Sequence, residues 1–122
     1  MANINDYQID LVKNSDCVAT TADNASCVAT VAAVAGRCHA ICKVDASFTS
    51  STISKTLTIT ITTVAGARTI IKDIHGAGAL DMGVYGLQAV ANTAIVATLA
   101  ASGAGGTLGH VAMTYYTTGP DN

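Results

Sequence analysis

Between residues 52 and 63 the chain reads "TISKTLTITITT", with Ile53, Leu57, Ile59 and Ile61 in one phase and Thr56, Thr58, Thr60 and Thr62 in the other. That period of two is what a strand with one dry face and one wet face requires. Lys55 falls in the apolar phase at the early end, where its long stem carries the ammonium out to water. Elsewhere short runs of Val, Ile, Thr and Ala are cut by Gly, Asn and Asp roughly every ten residues, the punctuation of an all-β protein. It predicts strands near 17–21 and 26–34 joined by a turn at "ADNAS", and a long strand over 37–48 after a turn at Gly36. The threonine-rich strand follows, then a hairpin turning at Gly66 into a strand over 68–75. After "GAGA", the segment "LDMGVYG" alternates Leu80, Met82 and Val84 against Asp81, Gly83 and Tyr85, and a closing hairpin joins 92–102 to 107–118 through "GAGG".

The alanine-rich stretch 87–102 has helical propensity, but its interleaved Thr and Val and its flanking glycines favour strand. About eight short antiparallel strands predict an all-β, jelly-roll-like β-sandwich, a single domain over residues 16–122. Residues 1–15 are polar, with scattered Ile4, Tyr7, Ile9, Leu11 and Val12, and read as an extended N-terminal arm that either stays mobile or lies along a neighbour.

Composition adds a constraint on partners. Half of the 122 residues are hydrophobic but only 4% are aromatic, with no Trp, so the core has to be built from Ala, Val, Ile and Leu. Charged residues make up 11%, against roughly 25% in a typical soluble domain. So charge-poor a surface implies that other subunits cover part of it. The six Lys and Arg are unclustered and the net charge is −2, which leaves no basic stripe for nucleic acid and no polybasic anchor for a membrane. The start, "MANINDYQIDLVKNSD", lacks the basic and apolar regions of a signal peptide, and no stretch reaches the ~18 apolar residues of a membrane span. These features point to synthesis in a cytoplasm, where four cysteines stay reduced.

The densest chemistry is "GRCHAICKVD", residues 36–45. On a regular strand Cys38, Ala40, Cys42, Val44, Ala46 and Phe48 share one face, and Arg37, His39, Ile41, Lys43, Asp45 and Ser47 the other. The two cysteines then stand ~13 Å apart, whereas two thiolates on one zinc are at most ~4.6 Å apart. They read as core thiols rather than metal ligands. For a disulfide, Cys17 and Cys27, on successive predicted strands, are the easier pair.

Other candidates are weaker. His39, His75 and His110 are far apart in sequence, and His75, followed by "GAGAL", is the most notable because glycines permit close backbone approach. "GAGG" and "HGAGAL" match no phosphate-binding glycine pattern and read as turns. No G-x-S-x-G elbow supports a nucleophilic serine. Asp23 and Asn24 offer oxygen ligands to calcium in "TADNAS", and an Asx turn accounts for the same residues without an ion. Tyr115 and Tyr116 face opposite sides of a strand, so one packs inward while the other is available to a sugar or a subunit.

From Gly36 to Thr117 the order of motifs resembles a group of small tailed-bacteriophage virion proteins with a jelly-roll-type sandwich. The matching segments are "GRCHAICKVDASFTSSTISKTLTIT", a hairpin, the "HGAGAL" turn and the closing "NTAIVATLAASGAGGTLGHVAMTYY" hairpin. The basic residue and histidine that open the first of these strands in the group correspond here to Arg37 and His39. The cysteines are not part of the pattern, and residues 1–35 match none of it. The resemblance implies an oligomeric structural protein of the particle and carries over no catalytic residues.

The expected function is a capsid decoration or cement protein, a homotrimer on the virion surface that binds the major capsid protein or other virion proteins and stabilises the assembled shell by linkage. No enzymatic activity, cofactor, nucleic acid or membrane is expected. Ile4, Tyr7, Ile9, Leu11 and Val12 are the contact candidates. The alternative is a glycan- or receptor-binding module of a head or tail fibre, using loops around "HGAGAL" and Tyr85, with His75, Tyr85 and Tyr116 as ligand or interface candidates. A secreted hydrolase or metal enzyme has the least support.

Overall fold

The computed structural model describes residues 16–83 and 85–118. The arm candidates Ile4, Tyr7, Ile9, Leu11 and Val12 lie outside the described residues, as does Val84. The described chain forms β1 (Asp16–Asp23), β2 (Cys27–Val31), β3 (Cys38–Phe48), β4 (Ser54–Thr63), β5 (Gly66–His75), β6 (Ala77–Asp81), β7 (Leu87–Gln88), β8 (Ile95–Leu99) and β9 (Leu108–Thr118), with no helix among these residues.

The pairing is a nested antiparallel ladder: β4 with β5, β3 with β6, β2 with β8 and β1 with β9. Two further pairings, β3 with β9 and β4 with β8, roll that ladder into two sheets ordered β1-β9-β3-β6 and β5-β4-β8-β2. The sheets are continuous only through the single pair His75 and Ala77, and the two-residue β7 extends the first sheet beside Ala40 and Ile41. This doubly wound arrangement is a jelly roll. On the opposite side the roll is closed by packing of β2 against β1, where the Cys27 thiol donates to the Thr20 carbonyl at 3.1 Å.

The core lies between the sheets. Leu57, Ile59 and Ile61 of β4, with Ile95, Ala97 and Leu99 of β8, face Ile41, Val44 and Ala46 of β3 and Val111 and Met113 of β9. The alternation along 52–63 therefore places its apolar phase inward as expected. Burying each such Ile or Leu contributes about 1.5–3 kcal/mol.

Along β3 the regular alternation fails. Ile41 pairs with Tyr115 and Lys43 with Thr114, so Cys42 is an extra residue, a β-bulge. A bulge switches the parity of everything beyond it. His39 and Ile41 therefore point inward before the bulge and Val44, Ala46 and Phe48 after it, while Cys38 and Cys42 are only half buried. The expectation that Cys38 and Cys42 share the core face with Val44 is corrected, and so is that of His39 and Ile41 opposite the core. Strand alternation over "LDMGVYG" is also cut short. β6 takes in "AGA" and ends at Asp81, whose carboxylate accepts the Gly83 N–H at 2.9 Å in an Asx turn.

Candidate functional site

The jelly roll gathers its connections at two ends of different character. One end holds the 32–37 loop, the 64–65 hairpin tip and the 82–94 segment, together with Asp16 at the start of β1 and Thr118 at the end of β9. The other holds loops 24–26, 49–53 and 100–107 and the Gly76 link. The second end is mostly polar, built of Asn24, Ser50, Ser51, Thr52 and the glycines around Ser102, with Leu108 37% exposed beside them.

The first end is apolar at its tips. Val34 is 45% exposed, Val64 96% and Tyr85 41%, with exposed Ala33, Ala35 and Ala65 on the same tips. Hydrogen bonds tie these loops to one another. Gly36 N–H donates to Asn92 Oδ1 at 2.6 Å and Asn92 N–H to the Arg37 carbonyl at 3.1 Å, while Val90 N–H donates to the Thr62 carbonyl at 2.9 Å. Within the hairpin tip the Thr63 hydroxyl accepts from Ala65 N–H and donates to the Gly66 carbonyl, both at 3.2 Å.

His39 anchors this end from below. Its ring is 1% exposed, sits edge-on to Tyr115 at 6.0 Å, and bonds the Ala32 carbonyl through Nε2 at 2.9 Å and the Thr117 hydroxyl through Nδ1 at 2.8 Å. A carbonyl only accepts, so Nε2 carries a hydrogen, and in the neutral ring Nδ1 accepts from Thr117. The histidine thus pins the 32–35 loop to β3 and β9. Tyr116, on the opposite face of β9, is buried beneath the 82–94 segment and its hydroxyl donates to the Tyr85 carbonyl. Tyr85 and Tyr116 are brought together, with Tyr116 as the brace and Tyr85 as the presented ring.

His75 is not part of this arrangement. Gly76 accepts from Phe48 N–H at one end of β3, whereas Gly86 stands on Ile41 near the other. The separation along β3 is about 20 Å. The sequence-based grouping of "HGAGAL" with Tyr85 is therefore split between opposite ends of the roll. His75 Nδ1 shares a 2.6 Å hydrogen bond with the exposed Ser54 hydroxyl, a side-chain pair across β4 and β5 set by their register. Asp23, considered for calcium, accepts the Gly106 N–H at 2.9 Å and ties the 100–107 loop to the end of β1.

The cysteines are placed separately. Cys17 points outward on β1 and Cys27 inward on β2, so the bridge considered from sequence is not formed, and all four stand as thiols. Burial pushes the Cys27 thiol above the ordinary value of 9.0, against hydrogen bonding from Val111 and Thr20. Burial, with the Asp81 charge added, does the same for Cys42. Both are protonated at neutral pH and are poor nucleophiles. Among the described residues no three His, Cys, Asp or Glu side chains are gathered as a metal ion would need.

Two features of this end escaped sequence reasoning. "VAAVAG" was legible as apolar, but only the register of β2 with β8 shows that the strand stops at Val31 and leaves Val34 in a loop. Val64 in a two-residue turn, where polar residues usually sit, was the available signal for the hairpin tip.

No protein-family model matches the sequence, and no curated protein matches it. Among solved structures, a vicilin from Solanum melongena is similar over 84% of this chain and 30% of its own length, at 9% identity and a TM-score of 0.22. The chain thus spans about a third of that protein. So slight a likeness carries no argument about function.

Proposed function

We propose that this chain is a structural protein of a bacteriophage particle, a decoration protein that binds the assembled shell through the apolar end of its jelly roll. The observation that carries the reading is the braced cluster of tips at that end, where Val34, Val64 and Tyr85 are exposed. The resemblance over Gly36–Thr117 supports the virion context. Apolar side chains held by hydrogen bonds lose little freedom on docking, so their burial is retained as affinity at about 25 cal/mol per Å². Such a protein acts without chemistry. It binds the assembled lattice and not the free subunits, and at a concentration of 100 times Kd that preference adds about 2.7 kcal/mol per site. The major capsid protein is the expected partner, and the chain assembles as a homotrimer on the virion surface.

The test is the number of copies in purified virions, counted by quantitative mass spectrometry against the major capsid protein. Hundreds of copies, reduced by Val34→Asp with Val64→Asp, would support shell decoration. A few copies per particle would move the chain to a tail or fibre. The exposed Tyr85 ring favours a glycan- or receptor-binding module as the second reading. Retention on host polysaccharide, lost on Tyr85→Ala, would support it.

A further inference from the structure

The outer face of the β5-β4-β8-β2 sheet has a composition unlike that of the opposite sheet. Register fixes two rows across the four strands: Ile71, Thr58, Thr98 and Val28, then Thr69, Thr60, Val96 and Thr30. Every position in both rows is β-branched and none is charged. Asp73, opposite Thr56, stands at the margin. The outer face of the other sheet instead carries Lys43, Asp45, Asp81, Asp23 and His110. A soluble surface usually carries about 25–35% charged residues, whereas here Ile71 and Val28 are 64% and 45% exposed with no charge in either row.

We propose that this face docks on the same face of a second copy of the chain, about a two-fold axis, as a sheet-on-sheet contact. Three properties select that occupant. The face carries no charge in its two rows, so placing it against itself opposes no like charges, whereas self-contact of the other sheet would oppose Asp45 and Asp81 with their equivalents. The strands twist by about 20–25° each, which a flat or crystalline ligand does not match and a sheet of the same twist does, stacking at ~10 Å. Branching at Cβ leaves each side chain stiff at χ1, so little rotamer freedom is lost on contact.

The size of the face sets the strength. Four strands ~4.8 Å apart, and the six-residue rise from Thr56 to Thr62 at ~3.3 Å per residue, give a footprint of about 400 Å². A standard interface buries about 800 Å² per partner. The contact is therefore weak in dilute solution and gains when copies are held side by side on one surface. It goes beyond the shell-binding reading and stands or falls separately.

The experiment is a dilution series of the full-length chain carrying methyl-labelled Ile, Val and Thr, followed by NMR and sedimentation equilibrium. The expected result is a monomer–dimer equilibrium with concentration-dependent shifts at Val28, Thr58, Thr60, Ile71, Val96 and Thr98. Thr60→Arg, at an exposed outward position, should weaken dimerisation at least tenfold with an unchanged unfolding midpoint, while Asp45→Asn should leave it unaltered. Shifts at Val34 and Val64 instead would overturn the assignment, as would a chain monomeric at millimolar concentration. A trimer indifferent to Thr60→Arg would also overturn it and leave the proposed function standing.

Discussion

Replacing Gly86 by alanine tests whether the segment presenting Tyr85 is held by contact with β3. Gly86 has φ of +70°, and a Cβ there would lie 2.6 Å from the Ile41 carbonyl oxygen and 3.0 Å from its carbon. Ile41 is fully buried and paired to strands on both sides, so it does not yield. Gly36 supplies the control: its φ is +72°, but a Cβ would meet nothing within 4 Å. For Gly36→Ala only the left-handed backbone counts, about 1–2 kcal/mol, offset in part by the stiffer unfolded chain. Gly86→Ala must in addition lift the segment off Ile41, with loss of the hydrogen bond from Tyr116 to Tyr85, worth about 1 kcal/mol, and of the packing over Ala40. The sum is about 3–4 kcal/mol, roughly 2 more than the control. Urea unfolding followed by far-ultraviolet circular dichroism reads the difference: at an m value of ~2 kcal/mol/M the two midpoints separate by about 1 M. Coincident midpoints would refute the reasoning, since they would mean that the segment moves away from Ile41 without cost.

Other expectations follow from the same contacts. His39→Ala removes two buried hydrogen bonds and the ring packed on Tyr115, and should cost about 3 kcal/mol, with faster amide exchange across residues 32–35. The Cys27 and Cys42 thiols have raised pKa values when folded, so above about pH 9 the unfolded chain releases protons that the folded chain retains. Stability is then complete below pH 9 and falls as pH rises, a slope that Cys27→Ala with Cys42→Ala should flatten in unfolding measured from pH 7 to 10.5. Ellman's reagent should modify exposed Cys17 at once and buried Cys27 only as the chain unfolds. Lys43→Met breaks a 3.6 Å pair with Asp45 whose partners are 47% and 52% exposed, and should shift stability by less than about 0.5 kcal/mol.

The fold was legible where local pattern and global register agree. Ile59 and Thr60 alternate because both neighbours of β4 pair with it in unbroken register, so the period in the sequence survives in the sheet. On β3 it does not survive. The extra residue at Cys42 is decided by where β9 pairs on either side of it, and β9 lies some seventy positions away. That one shift inverted the assignment of His39, the residue that anchors the exposed loop, and of the cysteines beside it. Asp81 shows the opposite failure, a local Asx turn overriding an alternation that continued past it in the sequence. The polarity of the two ends could not be read from the chain at all. Val34, Val64 and Tyr85 are far apart in sequence, and only the nesting of the strands puts their loops on the same end.

That nesting also governs how the molecule assembles itself. The β4–β5 hairpin closes over a two-residue turn, and each successive pair in the ladder then needs only a short additional closure, since the pair inside it already holds the chain ends near each other. Pairing Asp16 with Tyr115 comes last, after nearly the whole described chain lies between them. Most of the pairings join residues far apart in sequence, which places the fold among slow-folding topologies, and the hairpin-outward order is the route with the smallest closure at each step. The same order run backwards makes β1 the first strand to open, so amide exchange should be fastest along Asp16–Asp23 and slowest along β4. A strand that loosens first can part from β9 while the rest of the roll stays shut.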